Sequence, residues 1–511
     1  MMSLIRRIRQ SGNGRTVPIE RWHREIIVLH AAYAVWGTFL YSRRRTGMVQ
    51  TDTLIIEQLE LNGDEMTPIM IFQQLSGTQK CLLESSAHTD QGRYSIIGVD
   101  PVEMIRAEGR TVTREQLTTG RLTQETGDPV RLMQQMILRG GVEEDLPFLA
   151  GGIGYVGYDM MRAYETLGAV PERTRQLPDA LLAVYDQIIL FDHLEHRVHL
   201  IQTSLGGITN RDELRQRLAE RKAQLEQPRE RTDIERPLRD VVYEPLMDQE
   251  TFEGLVEQAK RHIRQGDVFQ LVLSQRLDAT FSGDPFQFYR KLRKDNPSPY
   301  LFYIDLGEAI VLGASPESLV QVKGDRVTTN PIAGTRRRGK TKEEDERLAE
   351  ELLHDEKERA EHRMLVDLGR NDLGRICQIG TVEVTRFMQI ERFKNVMHLV
   401  SVVEGTLADG KTGADALVSC LPAGTVTGAP KIRAMQLIDQ YEQVKREVYA
   451  GAVGYFDVRG NMDFALAIRT MVIKDGVASV QAGAGIVYDS IPRLEYQETL
   501  HKAKSLLEVW K

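Results

Sequence analysis

The sequence predicts an α+β fold of two stacked, mostly antiparallel β-sheets flanked by helices. Two observations carry this. Short apolar runs, some alternating and some continuous, follow one another at turn-length intervals, as strands joined by hairpins do. The strands are joined by short turns with the helical patterns placed outside them, an α+β arrangement. The composition, 41% hydrophobic and 27% charged over 511 residues, is that of a globular chain long enough for two or three domains.

In chain order, residues 1–47 differ from the rest. They hold nine Arg, no Lys and two Glu, a surplus of seven positive charges that leaves the remainder near −14 in a chain of net charge −7. Their apolar run, 26–41, contains His30 and falls short of the ~20 residues that span a bilayer. The YSRRR that follows is a poor cleavage site for a signal peptide. The segment is read as a disordered or non-native basic extension ahead of a natural start at Met48. Net acidity elsewhere gives no reason to expect nucleic acid. Cys81, Cys377 and Cys420 lie far apart, without metal-ligand spacing, which fits a reduced, cytoplasmic setting.

Residues 48–207 form an N-terminal region. LIIEQLEL (54–61) alternates like a strand, and KCLLESS (80–86) reads as a buried strand with a polar end. RYSIIGVDPVEMIRAEG (93–109) reads as strand, turn, strand. PFLAGGIGYVGYDMMRAYE (147–165) is Gly-rich and then helical; it lacks the βαβ frame and distant acid of a dinucleotide fingerprint. Residues 180–203 read as two adjacent strands. Residues 208–247 are a charged helix (208–227) and a polar, Pro-containing linker (228–240).

Residues 248–511 form the second region. It opens with an amphipathic helix (248–267), a strand (268–281), a helix closed by Pro (285–300), a hairpin and turn (301–320), and a strand and loop (326–339). A helix spans ERAEHRMLVDLGRND (358–372), followed by TVEVTRFM and a second helix through His398. YAGAVGYFD, MDFALAIRTMVIK and ASVQAGAGIVY read as strands ahead of a terminal helix. No internal repeat occurs.

Glu358 and Glu361 fall one turn apart beside an apolar stripe of Met364, Leu365 and Leu368. Glu495 and Glu498 repeat the spacing beside Leu494, Leu500, Ala503, Leu506 and Leu507. Two such pairs can converge on a divalent cation, and carboxylates that leave room for water suit Mg2+. Spacing alone favours two solvated helix faces; the sequence between the pairs decides the matter.

That sequence resembles the chorismate-utilising enzymes, most closely the component I (large) subunits of anthranilate synthases. The resemblance runs from about Met48 to the end and is densest in GDVFQLVLSQR, GASPESLV, PIAGTRRRG, AEHRMLVDLGRNDLGR, VMHLVSVVEG, AGTVTGAPK and QAGAGIVYDS. Seven motifs in one order are specific where any one alone is weak. The resemblance implies Mg2+ held by Glu361 and Glu498, with Glu358 and Glu495 behind them or reaching the metal through water. It implies chorismate held by Gly334, Thr335, Tyr449, Arg469, Gly483, Ala484, Gly485 and Lys502. Glu317 would protonate the departing C4 hydroxyl, His398 would assist loss of pyruvate and the C2 proton, and Thr425 would supply a hydroxyl beside them. Water-adding relatives carry a Lys base where this chain has Gln270. Aminodeoxychorismate synthases commonly carry a Lys nucleophile where it has Ala333. Direct attack by ammonia at ring C2 is the chemistry that remains.

The resemblance extends to regulation. LLES (82–85) and NPSPY (296–300) match tryptophan-binding elements, placing L-tryptophan against Ser85, Pro297, Ser298 and Pro299. No glutaminase motif is present, so ammonia would come from solution or from a glutamine amidotransferase partner (anthranilate synthase component II) in a hetero-oligomer, a heterodimer or heterotetramer. No membrane partner is expected. The reading is Mg2+-dependent amination of chorismate and pyruvate elimination to anthranilate, the committed step toward tryptophan. Its rivals are an aminodeoxychorismate synthase component and a non-catalytic regulatory protein on the same fold.

Overall fold

The structure, a computed structural model, describes residues 53–85, 92–140, 142, 144–227, 242–393 and 396–509. The basic extension and the 228–240 linker lie outside the described residues. Two twelve-stranded antiparallel sheets are present among the described residues. The first runs Ile56–Asn62, Arg197–Thr203, Gln187–Asp192, Tyr94–Gly98, Cys81–Glu84, Tyr300–Asp305, Ile310–Ser315, Thr470–Lys474, Val477–Ile486, Gln270–Thr280 and Glu244–Pro245, with Gly428–Ala429 pairing beside Gln270–Thr280. The second runs Ile332–Arg337, Val396–Thr406, Arg326–Thr329, Ser318–Lys323, Met462–Leu466, Ala452–Asp457, Gly151–Val156, Ala180–Tyr185, Glu103–Glu108, Thr111–Gln116 and Arg121–Thr126, with Glu383–Arg392 pairing beside Val396–Thr406. The two sequence regions share both sheets: Cys81–Glu84 pairs with Tyr300–Asp305, and Gly151–Val156 with Ala452–Asp457.

The core lies between the sheets, where Ile188 and Ile304 of the first meet Ile105, Ile153, Leu182 and Phe464 of the second. A second apolar cluster fills the outer face of the first sheet, where Leu82, Ile97 and Tyr303 meet the helix residues Phe72, Phe288 and Leu506.

Several elements differ from the sequence reading. His398 lies on the strand Val396–Thr406, where a helix was expected. A continuous apolar run such as VMHLVSVV fits a buried strand as well as a helix, and pairing on both sides decides for the strand. Residues 180–203 form three strands, the chain changing sheet at Asp186. MDFALAIRTMVIK is two strands in different sheets, broken at Arg469. The GGIGYV stretch is itself a strand, and a short 3-10 turn, Tyr158–Ala163, replaces the expected helix. Its glycines serve close approach, since a Cβ at Gly154 would lie 2.0 Å from the Leu181 carbonyl oxygen. Leu494, assigned to the buried stripe of the terminal helix, is exposed.

Two helices carry the glutamate pairs. Glu356–Gly374 is capped by Asp355, whose carboxylate accepts from the N–H groups of Lys357 and Glu358. It packs on the strands Ile332–Arg337 and Val396–Thr406 of the second sheet. Pro492–Leu507, with Pro at its first position, packs on Val477–Ile486 of the first sheet and on the helix Gln249–Gln265.

Candidate active site

The site forms where the chain crosses between sheets twice, side by side. Ile310–Ser315 belongs to the first sheet and Ser318–Lys323 to the second, so Pro316 and Glu317 make the crossing. Met462–Leu466 and Thr470–Lys474 cross back at Arg469. The crossings are pinned together. Leu466 N–H donates to the Glu317 carbonyl at 3.0 Å, Ser315 Oγ donates to the Leu466 carbonyl at 2.7 Å, and Ala314 N–H donates to the Arg469 carbonyl at 3.1 Å.

At the first crossing Glu317 carries an unusual carboxyl. Burial pushes its pKa up to about 7, against the opposing pull of a Thr425 hydrogen bond and the Lys502 charge. The Thr425 hydroxyl donates to Glu317 Oε1 at 2.9 Å from the 3-10 turn Gly424–Val426. A carboxyl in that range can hold a proton near neutrality and release it to a leaving group.

At the second crossing Arg469 takes φ +49°, a strained conformation for a residue with a side chain. Its Nη1 donates to Ser505 Oγ at 3.0 Å, and among the described residues it has no carboxylate partner. Burial lowers its pKa, with the Tyr449 phenol opposing. A desolvated guanidinium without a counterion is a ready receptor for an incoming carboxylate.

His398 faces a bulge in the neighbouring strand. Register slips between Ala333 and Thr335, and Gly334 takes φ +69°. A Cβ there would meet Leu352 Cδ1 at 2.9 Å, so glycine is needed on both counts. The bulge turns the Gly334 carbonyl to His398 Nδ1 at 2.9 Å, with Thr335 Oγ1 at 3.1 Å. A carbonyl only accepts, so Nδ1 carries the proton and the Nε2 lone pair is left free. Burial lowers the imidazole pKa and keeps it neutral, with the nearby Arg469 charge adding to the effect.

The glycines of QAGAG lie within the strand Val477–Ile486. Ser274 N–H donates to Glu442 and Val272 N–H to the Thr427 carbonyl, so neither is used by its opposite residue, Gly483 or Gly485. The main-chain groups of Gly483 and Gly485 therefore face the free edge of the strand, and the Gly483 carbonyl accepts from Lys502 Nζ at 3.0 Å. The Tyr449 hydroxyl lies against Gly483, where an added Cβ would be 2.8 Å from it. The buried Gln270 packs on Gly485 and donates through Nε2 to Glu361 Oε1 at 3.4 Å, while its own Oε1 has no hydrogen-bond partner.

Glu358, Glu361 and Glu495 are half-buried, and Glu498 is exposed. Burial and the neighbouring Glu358 raise Glu361; burial and Glu498 raise Glu495. Lys357 and Lys502 act on both, so the two helices present their pairs to a common region. Glu498 also pairs with Lys502 at 2.7 Å, and Glu358 with Arg336 at 3.4 Å. Among the described residues no three acidic, His or Cys side chains gather closely enough to enclose a metal. Magnesium does not require that, since it commonly takes one or two protein carboxylates and completes its shell with water and substrate oxygens. Carboxylates set close enough to raise one another are the donor set such a cation relieves.

Away from this site, Ser85 and Pro299 line one cavity of about 150 Å³, drawn together by pairing of Glu84 with Leu301. Pro297 and Ser298 are not in its wall; Ser298 Oγ turns to the carbonyls of Asn296 and Ala314, each at 3.3 Å. The cavity also holds Tyr455 and Asp463, which sequence reasoning did not select. Burial pushes Asp463 up to about 6, and it accepts from the Tyr300 hydroxyl at 3.0 Å.

The family described as chorismate binding enzyme matches residues 78–508. Anthranilate synthase component 1 of Lactococcus lactis is 44% identical over 460 residues, 88% of this chain and 98% of its own. The Thermus thermophilus protein of the same name is 44% identical over 452 residues, covering 87% and 96%. The crystal structure of anthranilate synthase component I from Streptococcus pneumoniae superposes with a TM-score of 0.77 at 45% identity, covering 88% of this chain and 99% of that one.

Proposed function

The chain belongs to the chorismate-binding enzyme family, in its anthranilate synthase component I branch, and on that premise we propose how its residues convert chorismate and ammonia to anthranilate and pyruvate. The observation that carries the reading is Glu317: a carboxyl pushed up to about 7, held by Thr425, at the crossing beside Arg469, which has no carboxylate partner among the described residues.

Arg469 and Lys502 receive substrate carboxylate, and the main-chain groups at Gly483 and Gly485 line the same approach. Glu361 and Glu498 would hold Mg2+, with Glu358 and Glu495 supporting through water. When bound, the cation supplies the positive charge that lets a substrate carboxylate approach acidic helices. Gln270 offers no basic atom, so water is not activated there, and Ala333 offers no amine.

In the first step ammonia's nitrogen bonds to ring C2, both ring double bonds shift (C1=C2 to C1=C6 and C5=C6 to C4=C5), and the C4–O bond breaks. Glu317 gives its proton to the leaving oxygen, which departs as water; the new ammonium loses one proton to solvent. In the second step His398 Nε2 takes the C2 proton, the C3–O bond breaks, and the ring becomes aromatic. The enolate that leaves takes a proton on carbon and becomes pyruvate. A neutral imidazole with Nδ1–H fixed by Gly334 is in the correct form for this task.

Ammonia comes from a separate glutamine amidotransferase subunit, since none of the buried cysteines Cys81, Cys377 and Cys420 can serve as an exposed thiolate nucleophile. Tryptophan occupies the cavity at Ser85 and Pro299 and favours a less active arrangement. The direct test is incubation with chorismate, Mg2+ and ammonium: anthranilate fluorescence should appear in wild type and be lost in Glu317→Gln.

A further inference from the structure

We infer that the buried ion pair of Arg446 and Glu442 is a positioning element that holds the Thr425 turn, the Gln270 strand, the Gly483 strand and Tyr449 in register with one another. Neither residue lies among those assigned to substrate or metal, and the inference concerns how that proposed site is built.

Arg446 is 1% exposed, and all its donor nitrogens are used. Nε donates to Glu442 Oε2 at 2.7 Å and Nη2 to Glu442 Oε1 at 2.5 Å. Nη1 donates to the Val426 carbonyl at 2.7 Å, and Nη2 also to the Val272 carbonyl at 2.9 Å. Val426 adjoins Thr425 in the turn whose hydroxyl holds Glu317; Val272 lies two residues from Gln270. The guanidinium stacks near Tyr158, 4.9 Å from its ring centre, and near Tyr449, 5.6 Å from its ring centre. On the other side Glu442 Oε1 accepts from both the N–H and the hydroxyl of Ser274, each at 2.8 Å. Ser274 lies opposite Gly483, and Gln481 Nε2 donates to its hydroxyl at 2.9 Å.

One ion pair thus ties together four segments through side-chain bonds from a single buried point. An isolated buried pair is weak evidence for stability, because desolvation offsets attraction. Apolar replacements of similar volume could fill the same space. What they could not do is aim two carbonyls and two rings at once, and a displacement of about 1 Å in a reacting group costs on the order of 100-fold in rate.

The experiment uses the full-length chain with ammonium as nitrogen donor. Arg446→Lys keeps the charge and loses the fork that reaches Val426 and Val272. It should lower kcat at least 30-fold while KM for chorismate changes less than about fivefold. The basic limb of its pH profile should move upward, because a displaced Thr425 no longer pulls Glu317 down. Ser274→Ala removes one tie without stranding a charge, so it keeps the fold testable if Arg446→Lys does not fold. It should lower kcat about three- to tenfold in a protein that still folds, with a modest fall in melting temperature from the lost buried bonds. A folded Arg446→Lys with kcat within threefold of wild type and an unmoved pH profile would overturn the proposal. If Arg446→Lys does not fold, an unaltered kcat in Ser274→Ala would overturn it in the same way. Loss of anthranilate formation by wild type itself would instead overturn the functional reading on which it rests.

Discussion

The Thr425 hydroxyl donates to Glu317 Oε1 across 2.9 Å, linking a 3-10 turn to the crossing between the two sheets. The bond stabilises the ionised carboxylate, so it works against the burial that raises Glu317. Thr425→Val keeps the shape and removes the donor. Glu317 should then hold its proton to still higher pH. The basic limb of kcat/KM should move upward by up to about one pH unit, the equivalent of one hydrogen bond. Profiles must be taken at constant free ammonia; an unmoved limb would deny the bond this role.

Glu317 also couples the fold to pH. Its folded pKa, about 7, lies above the ordinary value of 4.5, so folding favours the protonated form. That contribution is complete below about pH 4.5 and is lost as pH rises through about 7. Glu317→Gln cannot ionise. Its melting temperature should match wild type near pH 4.5 and exceed it at pH 8, measured by scanning calorimetry, even as turnover falls by 100-fold or more. Equal melting at both pH values would contradict the burial argument.

His398→Ala should separate the two steps. The base for the C2 proton is removed while Glu317 and the ammonia approach are untouched. Anthranilate formation should fall by about 100- to 10,000-fold, the usual range for a general base. The aminated intermediate, still carrying its pyruvyl ether, should accumulate on chromatography. Unreacted chorismate alone would count against this division of labour.

Glu361→Gln and Glu498→Gln should each reduce turnover by 100-fold or more and raise the Mg2+ concentration needed for half-maximal rate. Folding should survive, because Glu498 is exposed and its Lys502 pair is of the surface kind, worth about 0–1 kcal/mol. Normal turnover at ordinary Mg2+ in either variant would remove it from the metal assignment.

Ser85→Ala should relieve inhibition by tryptophan without comparable loss of turnover. Ser85 lines the cavity with Pro299, apart from Glu317, Arg469 and His398. Losing one buried hydrogen bond costs about 1–3 kcal/mol, which weakens tryptophan binding roughly 5- to 150-fold. An inhibition midpoint that stays put would dismiss the cavity as the regulatory site.

The fold class and most elements were legible because periodicity reports which faces are buried. The helices of the glutamate pairs and the strand Gln270–Thr280 needed nothing more. His398 was misplaced on a helix because VMHLVSVV is apolar throughout, and only pairing on both sides separates the two readings. The break at Arg469 was missed because neither Gly nor Pro marks it; a positive φ on an arginine is set by tertiary contacts. Motifs named Glu317 and Arg469, but not that they occupy adjacent sheet crossings. Arg446, Glu442 and Asp463 carried no signal at all, since a charged residue in YEQVKREVYAG or NMDFAL reads as surface until packing shows it buried.

The central claim is that Glu317 donates a proton during ammonia-dependent conversion of chorismate. The most direct measurement is the pH dependence of kcat/KM for chorismate at saturating Mg2+ and constant free ammonia, read by anthranilate fluorescence. The account predicts measurable turnover that declines as pH rises through about 7, with the decline absent from the residual activity of Glu317→Gln. A wild-type rate that is independent of pH from 6 to 9, or a Glu317→Gln variant with wild-type turnover, would contradict it.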